Sequence, residues 1–426
     1  MNRTLSGVLL GYCVGQALAL IGQVARIPIS LDQLGHDGFG KVLLLGVETS
    51  LFTTLGLGVA DLARSMTSGQ TSPSERLHSA RQIQGLLRRT WAAIAIALIG
   101  LAIYEVVTAS VAALESFPSL GWRLLALVVL CAFLGCVATH FSPYFGILEA
   151  TGRTAMSHLL KGFAPFCGLA LTLGLLLKGM SVESASLAWA AGAIVPPLLA
   201  RLLVGGTEDD RNLSTRLARS SLSVVVAPLL GFFATAMDPF VVAHFLGTGA
   251  VADFSIANRV GILVLIAPLA FRPILWNRAR INQDSSDQLR GLRTSAKLYG
   301  LLALPGGILL VLGGVTIGRA LGATNAGSPY LLYALFTVSA LFLSIGMAFQ
   351  SVIPGSLWES KYAAVLVITS ISNILLSVVI TSQLGISGPA LAGLLSNGVL
   401  LAFWVAVSLS RPHSLVPRGS RKLQKR

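Results

Sequence analysis

The clearest pattern in this chain is a series of long apolar stretches separated by short polar ones. Each stretch runs for roughly 18 residues or more, which is long enough for a helix to cross a hydrocarbon core of about 30 Å. We therefore predict twelve membrane helices, arranged as two sets of six. The predicted helices cover residues 5–31, 41–63, 91–113, 118–140, 155–178, 183–204, 218–246, 250–276, 297–321, 329–353, 361–383 and 386–409.

Composition supports the same fold class. Apolar residues make up 54% of the 426 positions and charged residues only 11%, whereas an ordinary soluble domain has roughly 25% charged residues. A soluble fold cannot bury so much apolar surface, and lipid offers no water to satisfy open backbone groups, so helices are favoured. The chain is predicted to be an all-α integral membrane protein.

The net charge of +14 falls mainly in the predicted connections. Most cationic residues follow even-numbered helices: Arg64, Arg76, Arg81, Arg88, Arg89, Arg211, Arg216, Arg219, Arg278, Arg280, Arg290, Arg293 and Lys297. Because positive loops prefer the cytoplasmic side, both termini are predicted to be cytoplasmic, and no nucleic-acid groove is expected. Residues 415–426 contain the thrombin cleavage sequence Leu-Val-Pro-Arg-Gly-Ser and are interpreted as a tag-derived tail.

The second half of the chain repeats the first. A shift of 212 residues aligns Leu34-Gly35 with Leu246-Gly247 and superposes the first helix pair on the seventh and eighth. Because this shift spans an even number of helices, the halves are predicted to form a parallel repeat about an axis along the membrane normal. The predicted organisation is a six-helix bundle, a cytoplasmic linker, a second six-helix bundle and the tail, at residues 1–204, 205–217, 218–410 and 415–426.

The usual nucleotide and metal motifs do not occur in the sequence. Residues 35–41 match the phosphate-loop pattern GxxxxGK, but Val42 stands where the magnesium-binding Ser or Thr belongs, and a membrane helix follows. The four cysteines lie in apolar stretches without a CxxC spacing, and the six histidines form no HExxH motif. We expect no cofactor, metal or nucleotide, so any transport is secondary or facilitated.

Short motifs occupy corresponding places in the two halves. They are Arg26, Leu34-Gly35, Gly38-Phe39-Gly40 and Leu55-Gly56-Leu57-Gly58 in the first half, and Phe245-Leu246-Gly247 with Val251-Ala252-Asp253-Phe254-Ser255-Ile256-Ala257-Asn258-Arg259 in the second. These motifs resemble those of bacterial polysaccharide flippases, the Wzx-like branch of the multidrug/oligosaccharidyl-lipid/polysaccharide exporter (MOP) superfamily. The resemblance rests on their recurrence in a twelve-helix chain.

The resemblance implies a V-shaped pair of six-helix bundles that opens alternately to each side of a bacterial inner membrane. The implied cargo is a polyprenyl-diphosphate-linked oligosaccharide, moved from the cytoplasmic to the outer leaflet for cell-surface polysaccharide biosynthesis. Such a protein is a transporter and not an enzyme. Its other partners would be membrane lipids, with H+ or Na+ as possible coupling ions.

A diphosphate headgroup needs cations inside the membrane. An arginine at a helix centre costs roughly 2.5–3.5 kcal/mol to insert, and its guanidinium binds phosphate through two parallel hydrogen bonds. The candidates for diphosphate or sugar binding are Arg26, Arg259, Arg272 and Lys161. Arg259 is favoured because it lies away from both ends of its predicted helix. Pairing with Asp32 is the alternative for Arg26, and snorkelling to headgroups is the alternative for Arg272 and Lys161.

Acidic residues in the predicted helices form the complementary set. Glu48, Asp61 and Asp238 are candidates for ion coupling or for pairing between the bundles. Under the 212-residue shift Arg26 corresponds to Asp238, so we hypothesise an ion pair across the halves, either a coupling element or a structural bridge. Pro239 follows Asp238 directly, and a kink there would expose the acid.

Two other functions stay open at this point. A cation-coupled drug or metabolite exporter of the same superfamily would favour acids around its cargo, whereas Arg26 and Arg259 favour an anionic headgroup. A membrane glycan polymerase usually has a substantial outward loop with catalytic residues, and the predicted outward connections here are short. The flippase is therefore the leading hypothesis.

Overall fold

Helices account for nearly all of the described chain. The computed structural model describes residues 2–67, 81, 83–84, 118–176, 179–204, 236–266, 268, 285–324, 329–350 and 359–409. Within these ranges there are helices joined by short turns and no strand, so the predicted all-α class is confirmed. The predicted third helix, the linker 205–217 and the tail lie outside the described residues, as does most of the predicted seventh helix.

Five helices form the described part of the N-terminal half. They are α1 (Asn2–Thr67), α2 (Pro118–Phe141), α3 (Pro143–Ala150), α4 (Thr154–Leu176) and α5 (Val182–Val204). α4 packs along α5, and α2 and α3 also contact α5. By spatial clustering the chain divides into two compact units, Leu10–Leu217 and Ala218–Arg426 together with Met1–Leu9.

Six helices and one 3-10 turn form the described part of the C-terminal half. They are α6 (Asp238–Leu246), α7 (Thr248–Ile262), the turn Leu263–Leu265, α8 (Ser285–Ala320), α9 (Pro329–Gln350), α10 (Glu359–Leu384) and α11 (Ser387–Leu409). α10 packs along α11, while α9 packs against α7, α8 and α11. α6 contacts both α7 and α10, which places the start of α6 inside this unit.

Nine stretches of the described helices are long and apolar enough to cross a membrane. They are Leu10–Val47, Ala126–Ala150, Thr154–Leu175, Val182–Val204, Thr248–Leu265, Ala296–Ala320, Pro329–Gly346, Lys361–Leu384 and Ser387–Leu409. Large apolar side chains on them, such as Leu202, Leu312 and Leu375, are exposed, as expected where lipid is the solvent. The chain is a multi-pass membrane protein, and the total of twelve spans stays a prediction.

A single glycine separates two helices at the same place in each half. Gly35 interrupts α1 with φ 67° and ψ 177°, and Gly247 separates α6 from α7 with φ 85° and ψ 165°. This backbone region is essentially restricted to glycine, because a β-carbon would clash with the chain. The two breaks lie 212 residues apart and share one conformation, so the predicted internal repeat is confirmed.

The last described helices of the two halves also correspond. α5 and α11 each contain 23 residues, and their ends are displaced by 205 residues. An arginine caps each of them: Arg153 Nη1 donates to the Leu203 carbonyl at 3.1 Å, and Arg293 Nε donates to the Ser408 carbonyl at 3.0 Å. The last carbonyls of a helix have no partner within the helix, so both contacts stabilise a helix end.

Several features of the fold differ from the sequence prediction, among them the start of α6 inside the predicted seventh helix and the end of α7 inside the predicted eighth. The connection after the predicted fourth helix contains α3, which begins at Pro143 after a turn at Ser142. Proline is favoured at the first position of a helix because its missing N–H is not needed there. α8 begins at Ser285, well before the predicted start at residue 297. The charge pattern assigns Arg290 and Arg293 to a connection, but arginine is also a good helix former.

Candidate functional site

Arg26 is buried inside the N-terminal unit. It lies on α1, two residues before Pro28, and only 5% of its surface is exposed. Its guanidinium carbon lies 3.7 Å from the centroid of the Trp189 ring of α5. On α4, a β-carbon placed at Gly168 would lie 3.6 Å from Nη1. A desolvated cation–π contact of this kind stabilises a guanidinium by about 2 kcal/mol, so this contact favours a charged group within a membrane span.

Asp238 is buried to the same extent inside the C-terminal unit. It begins α6, is followed by Pro239, and has 5% of its surface exposed. Its Oδ1 accepts hydrogen bonds from Ser377 Oγ at 2.8 Å and from Asn373 Nδ2 at 3.4 Å, both on α10. Both donors are neutral, so neither compensates the negative charge. Asp238 belongs to the predicted seventh membrane helix, and carboxylates inside membrane spans typically mark ion or proton pathways.

The hydrogen bonds around Asp238 continue into α11. Ser396 Oγ of α11 donates to Asn373 Oδ1 at 3.3 Å. The next residue, Asn397, donates through Nδ2 to Ser339 Oγ of α9 at 2.8 Å. Buried polar side chains require such partners. The acid therefore belongs to a hydrogen-bonded network of α6, α10 and α11, and a separate polar contact joins α11 to α9 at the adjacent residue.

Arg26 and Asp238 occupy equivalent positions in the two units. They are 212 residues apart, which is the displacement of the two glycine breaks. The residues they meet are equivalent as well, because Gly168 and Asn373 are 205 residues apart, the displacement of α5 and α11. The repeat thus places a guanidinium in one unit where the other has a carboxylate. An ion pair between these two residues stays a prediction.

Lys161 has a buried acidic partner. Its Nζ lies 2.6 Å from Glu149 Oε1, and the Glu149 side chain is only 4% exposed. Ser157 Oγ donates to the same carboxylate oxygen at 2.9 Å. Removing one partner of a buried pair costs about 3–5 kcal/mol, so this contact holds α3 against α4. It gives Lys161 a structural role, and its contact with substrate stays a prediction.

The remaining predicted site residues are placed only in part. Arg259 is half-buried within the span Thr248–Leu265. The prediction that it lies away from both helix ends is wrong, because α7 ends at Ile262 and Arg259 lies in its last turn, before the 3-10 turn. Arg272 lies outside the described residues, and for Glu48 and Asp61 only the α1 backbone is described. Among the described side chains, no group of three His, Cys, Asp or Glu residues is placed to hold a metal ion.

The sequence analysis missed the neutral and aromatic residues of the site. Thr369, Asn373, Ser377 and Thr381 recur at every fourth position of α10, and all four are buried. Residues four apart lie on one face of a helix. A polar stripe in an otherwise apolar helix was therefore a readable signal for the partners of Asp238. No comparable pattern in the sequence connects Trp189 with Arg26.

Comparisons with known proteins bear on the fold. No family model matches this sequence, and no curated protein matches it. Among solved structures, the outward-facing conformation of a multidrug resistance MATE family transporter of the MOP superfamily aligns with a TM-score of 0.70 at 14% identity. The alignment covers 97% of this chain and 96% of that one. The chain has the fold of the MATE transporters.

Two further structures extend this comparison. The inward-facing conformation of such a MATE transporter aligns with a TM-score of 0.64 at 14% identity, over 95% of this chain and 98% of that one. A MOP superfamily transporter from Pyrococcus furiosus, described as having a binding pocket of reverse polarity that suggests a different function, aligns with a TM-score of 0.65 at 14% identity. That alignment covers 97% and 96% of the two chains. The similarity in fold extends over both halves of the chain. Because fold alone does not determine function, the identity of the cargo must be inferred from the residues of the site.

Proposed function

We propose that this protein is a flippase that moves a polyprenyl-diphosphate-linked oligosaccharide from the cytoplasmic to the outer leaflet of a bacterial inner membrane. Transport would proceed by alternating access and serve cell-surface polysaccharide biosynthesis, with both termini in the cytoplasm. The observation that carries the proposal is Arg26, a buried guanidinium within the span Leu10–Val47. Intramembrane arginines are costly to insert and therefore rare outside functional sites.

The headgroup chemistry suits a guanidinium. A diphosphate must leave water to cross the bilayer, and its charge then needs a cation within the protein. Arginine supplies a permanent charge and can donate two parallel hydrogen bonds to one phosphate group. Arg259, within the span Thr248–Leu265, is our second substrate arginine.

The comparison with the Pyrococcus furiosus transporter supports an argument from charge. That protein is described as having a binding pocket of reverse polarity, from which a different function is suggested. In this chain a buried arginine occupies the N-terminal position equivalent to a buried acid of the C-terminal unit. A guanidinium repels cationic drugs and attracts anionic headgroups, which favours an anionic cargo.

Asp238 is our candidate for ion coupling. Its carboxylate, the Asn373 side chain and the Ser377 hydroxyl provide oxygen atoms on two packed helices. Oxygen ligands suit a hard cation such as Na+, and a carboxylate can alternatively take up H+. Binding of the ion in one transport state and its release in the other would supply the driving force. Glu48 and Asp61 stay further candidates.

A cation-coupled exporter of drugs or metabolites is the second candidate function. The buried Asp238 favours it, as does the description of the matched structure as a multidrug resistance transporter. In an exporter of cationic cargo the acid itself would bind the cargo. Loss of Asp238 would then abolish cargo binding, whereas loss of Arg26 would leave it intact.

Flipping of a fluorescent polyprenyl-diphosphate sugar in proteoliposomes tests the proposal. We would compare the parent protein with Arg26→Gln, Arg259→Gln and a control, Arg201→Gln, because Arg201 is an exposed arginine that also lies over an aromatic ring. We expect a loss of roughly 10- to 100-fold in Arg26→Gln, since a hydrogen bond to a charged group contributes about 1.5–3 kcal/mol. Efflux of a cationic dye without any flipping would favour the exporter.

A further inference from the structure

Trp189 of α5 touches α1 on both sides of its glycine break. Before the break, the Arg26 guanidinium carbon lies 3.7 Å from the centroid of the indole ring. After the break, a β-carbon placed at Gly46 would lie 3.7 Å from Cε3 of the same ring. The indole therefore contacts both segments of α1 that meet at Gly35.

The position of Trp189 is set by close backbone packing. Gly192 lies one turn further along α5, and a β-carbon placed there would come within 2.5 Å of the Gly168 nitrogen on α4. No larger residue fits at this approach without moving one of the helices. Gly168 also lies beside Arg26, because a β-carbon placed on it would be 3.6 Å from Nη1 of the guanidinium. The same close contact thus brings α4, Trp189 and Arg26 together.

The way in which the guanidinium is held has a chemical consequence. Stacking on an indole uses the flat face of the group, while all five N–H donors lie in the plane of the guanidinium. A ring contact therefore fixes the orientation of the group without using its donors. A lysine ammonium has no plane to be oriented, so it would gain charge stabilisation but no alignment.

We propose that Trp189 is the positioning residue for Arg26: it holds the guanidinium by its face and orients the N–H edge toward the oxyanion of the cargo. This inference rests on the proposed function and identifies what makes its arginine selective for a phosphate-type group. The C-terminal unit supports it, because the position 205 residues after Trp189 is Leu394. The half that contains Arg26 has a tryptophan at this position, and the half that contains Asp238 has a leucine.

Flipping kinetics of Trp189→Phe and Trp189→Leu, each in the parent and in the R26K background, test the assignment. With Arg26 present, we expect Trp189→Leu to raise KM about tenfold with little change in kcat, and Trp189→Phe to stay within about threefold of the parent. With lysine at position 26, Trp189→Leu should change KM less than about twofold. If Trp189→Leu raised KM by the same factor with arginine and with lysine at position 26, Trp189 would only pack the helices. A fall in kcat with an unchanged KM would lead to the same conclusion.

Trp404 provides the matched control. It is a buried tryptophan of the C-terminal unit whose ring lies near Tyr362 and Phe403. Trp404→Leu removes a similar apolar volume, so it reports the cost of losing a buried indole as such. We expect it to lower the midpoint of thermal unfolding without raising KM. A rise in KM as large as that of Trp189→Leu would overturn the assignment.

A measurement without lipid separates this inference from the proposed cargo. Inorganic pyrophosphate is added to the purified protein, and the shift in its unfolding midpoint is recorded. We expect a rise in the parent and in Trp189→Phe, and little or none in Trp189→Leu. If this pattern appears while the parent flips no lipid-linked sugar, the proposed cargo is wrong and the role of Trp189 stands. An equal shift in Trp189→Leu, or neither flipping nor a shift in the parent, overturns the inference.

Discussion

The two halves share one backbone frame and carry opposite charges at the same buried position. In the N-terminal unit Arg26 stacks on Trp189, whereas in the C-terminal unit Asp238 accepts hydrogen bonds from Asn373 and Ser377. A guanidinium keeps its charge throughout a transport cycle, while a carboxylate can bind and release a cation. We therefore expect Arg26 to bind the cargo and Asp238 to bind the coupling ion, with Arg259 as the further cargo contact proposed above.

Making the two positions alike should have the largest effect. Arg26→Asp replaces the guanidinium by the acid found in the other unit, and it should reduce flipping of the lipid-linked sugar by more than about 100-fold. Attraction of the headgroup is replaced there by repulsion. The same assay on Arg201→Asp, an exposed site of the same unit, is the control. Flipping within about tenfold of the parent would contradict an anion site at Arg26.

Neutralising the acid tests the other side of the comparison. Asp238→Asn keeps the shape of the side chain and removes its charge, so gradient-driven transport should fall about 10- to 100-fold while exchange without a gradient persists. Uptake into proteoliposomes under imposed H+ or Na+ gradients measures both. Asp37→Asn is the control, because Asp37 is exposed and lies 2.7 Å from Lys41. If gradient-driven transport by Asp238→Asn equalled that of the parent, Asp238 would not be the coupling residue.

The shared frame itself can be tested at its two glycines. Gly35→Ala and Gly247→Ala meet no neighbouring atom within 4 Å, so their cost is backbone strain alone, about 1–3 kcal/mol at each position. Gly174→Ala and Gly313→Ala are matched controls in regular helix with equal free space, and they should be neutral or slightly stabilising. Denaturant unfolding in detergent measures the free energies. Strain at one break only would show that the two breaks are not equivalent.

A smaller contrast is expected six residues after the two glycine breaks. The 212-residue shift pairs Lys41 with Asp253. Asp253 is buried and accepts a hydrogen bond from the Thr324 N–H at 3.0 Å, so Asp253→Ala should cost about 1–3 kcal/mol of unfolding free energy. Lys41→Ala removes only an exposed ion pair and should cost at most about 0.5 kcal/mol. Equal costs in the same unfolding assay would refute this distinction.

The fold could be predicted from the sequence because a backbone that spans lipid must satisfy its own hydrogen bonds, which favours helices. Apolar stretches of spanning length must form helices, and the paired Leu-Gly sites gave the repeat. The start of α8 at Ser285 and the short helix α3 were not readable in the same way. α3 is apolar like the helix before it, so only the turn at Ser142 and Pro143 separates the two. The start of α8 is rich in polar and charged residues, which suit a connection as well as a helix.

Of the candidate site, only the isolated charged residues could be predicted from the sequence. Arg26 and Asp238 stand out because each interrupts an apolar stretch. Their surroundings depend on which helices touch, and the sequence does not give those contacts. Thus the stacking of Arg26 on Trp189 came from the structure, and so did the Glu149 partner that gives Lys161 a structural role.

The capped ends of α5 and α11 have a consequence for how the two halves are compared. Arg153 and Arg293 reach corresponding carbonyls, yet one precedes α4 and the other lies in α8. The two halves therefore share a covered helix end, although the residue that covers it lies at a different place along the chain. An alignment of the two halves by residue identity would not pair the two arginines, whereas a comparison of the helix ends that they cover does.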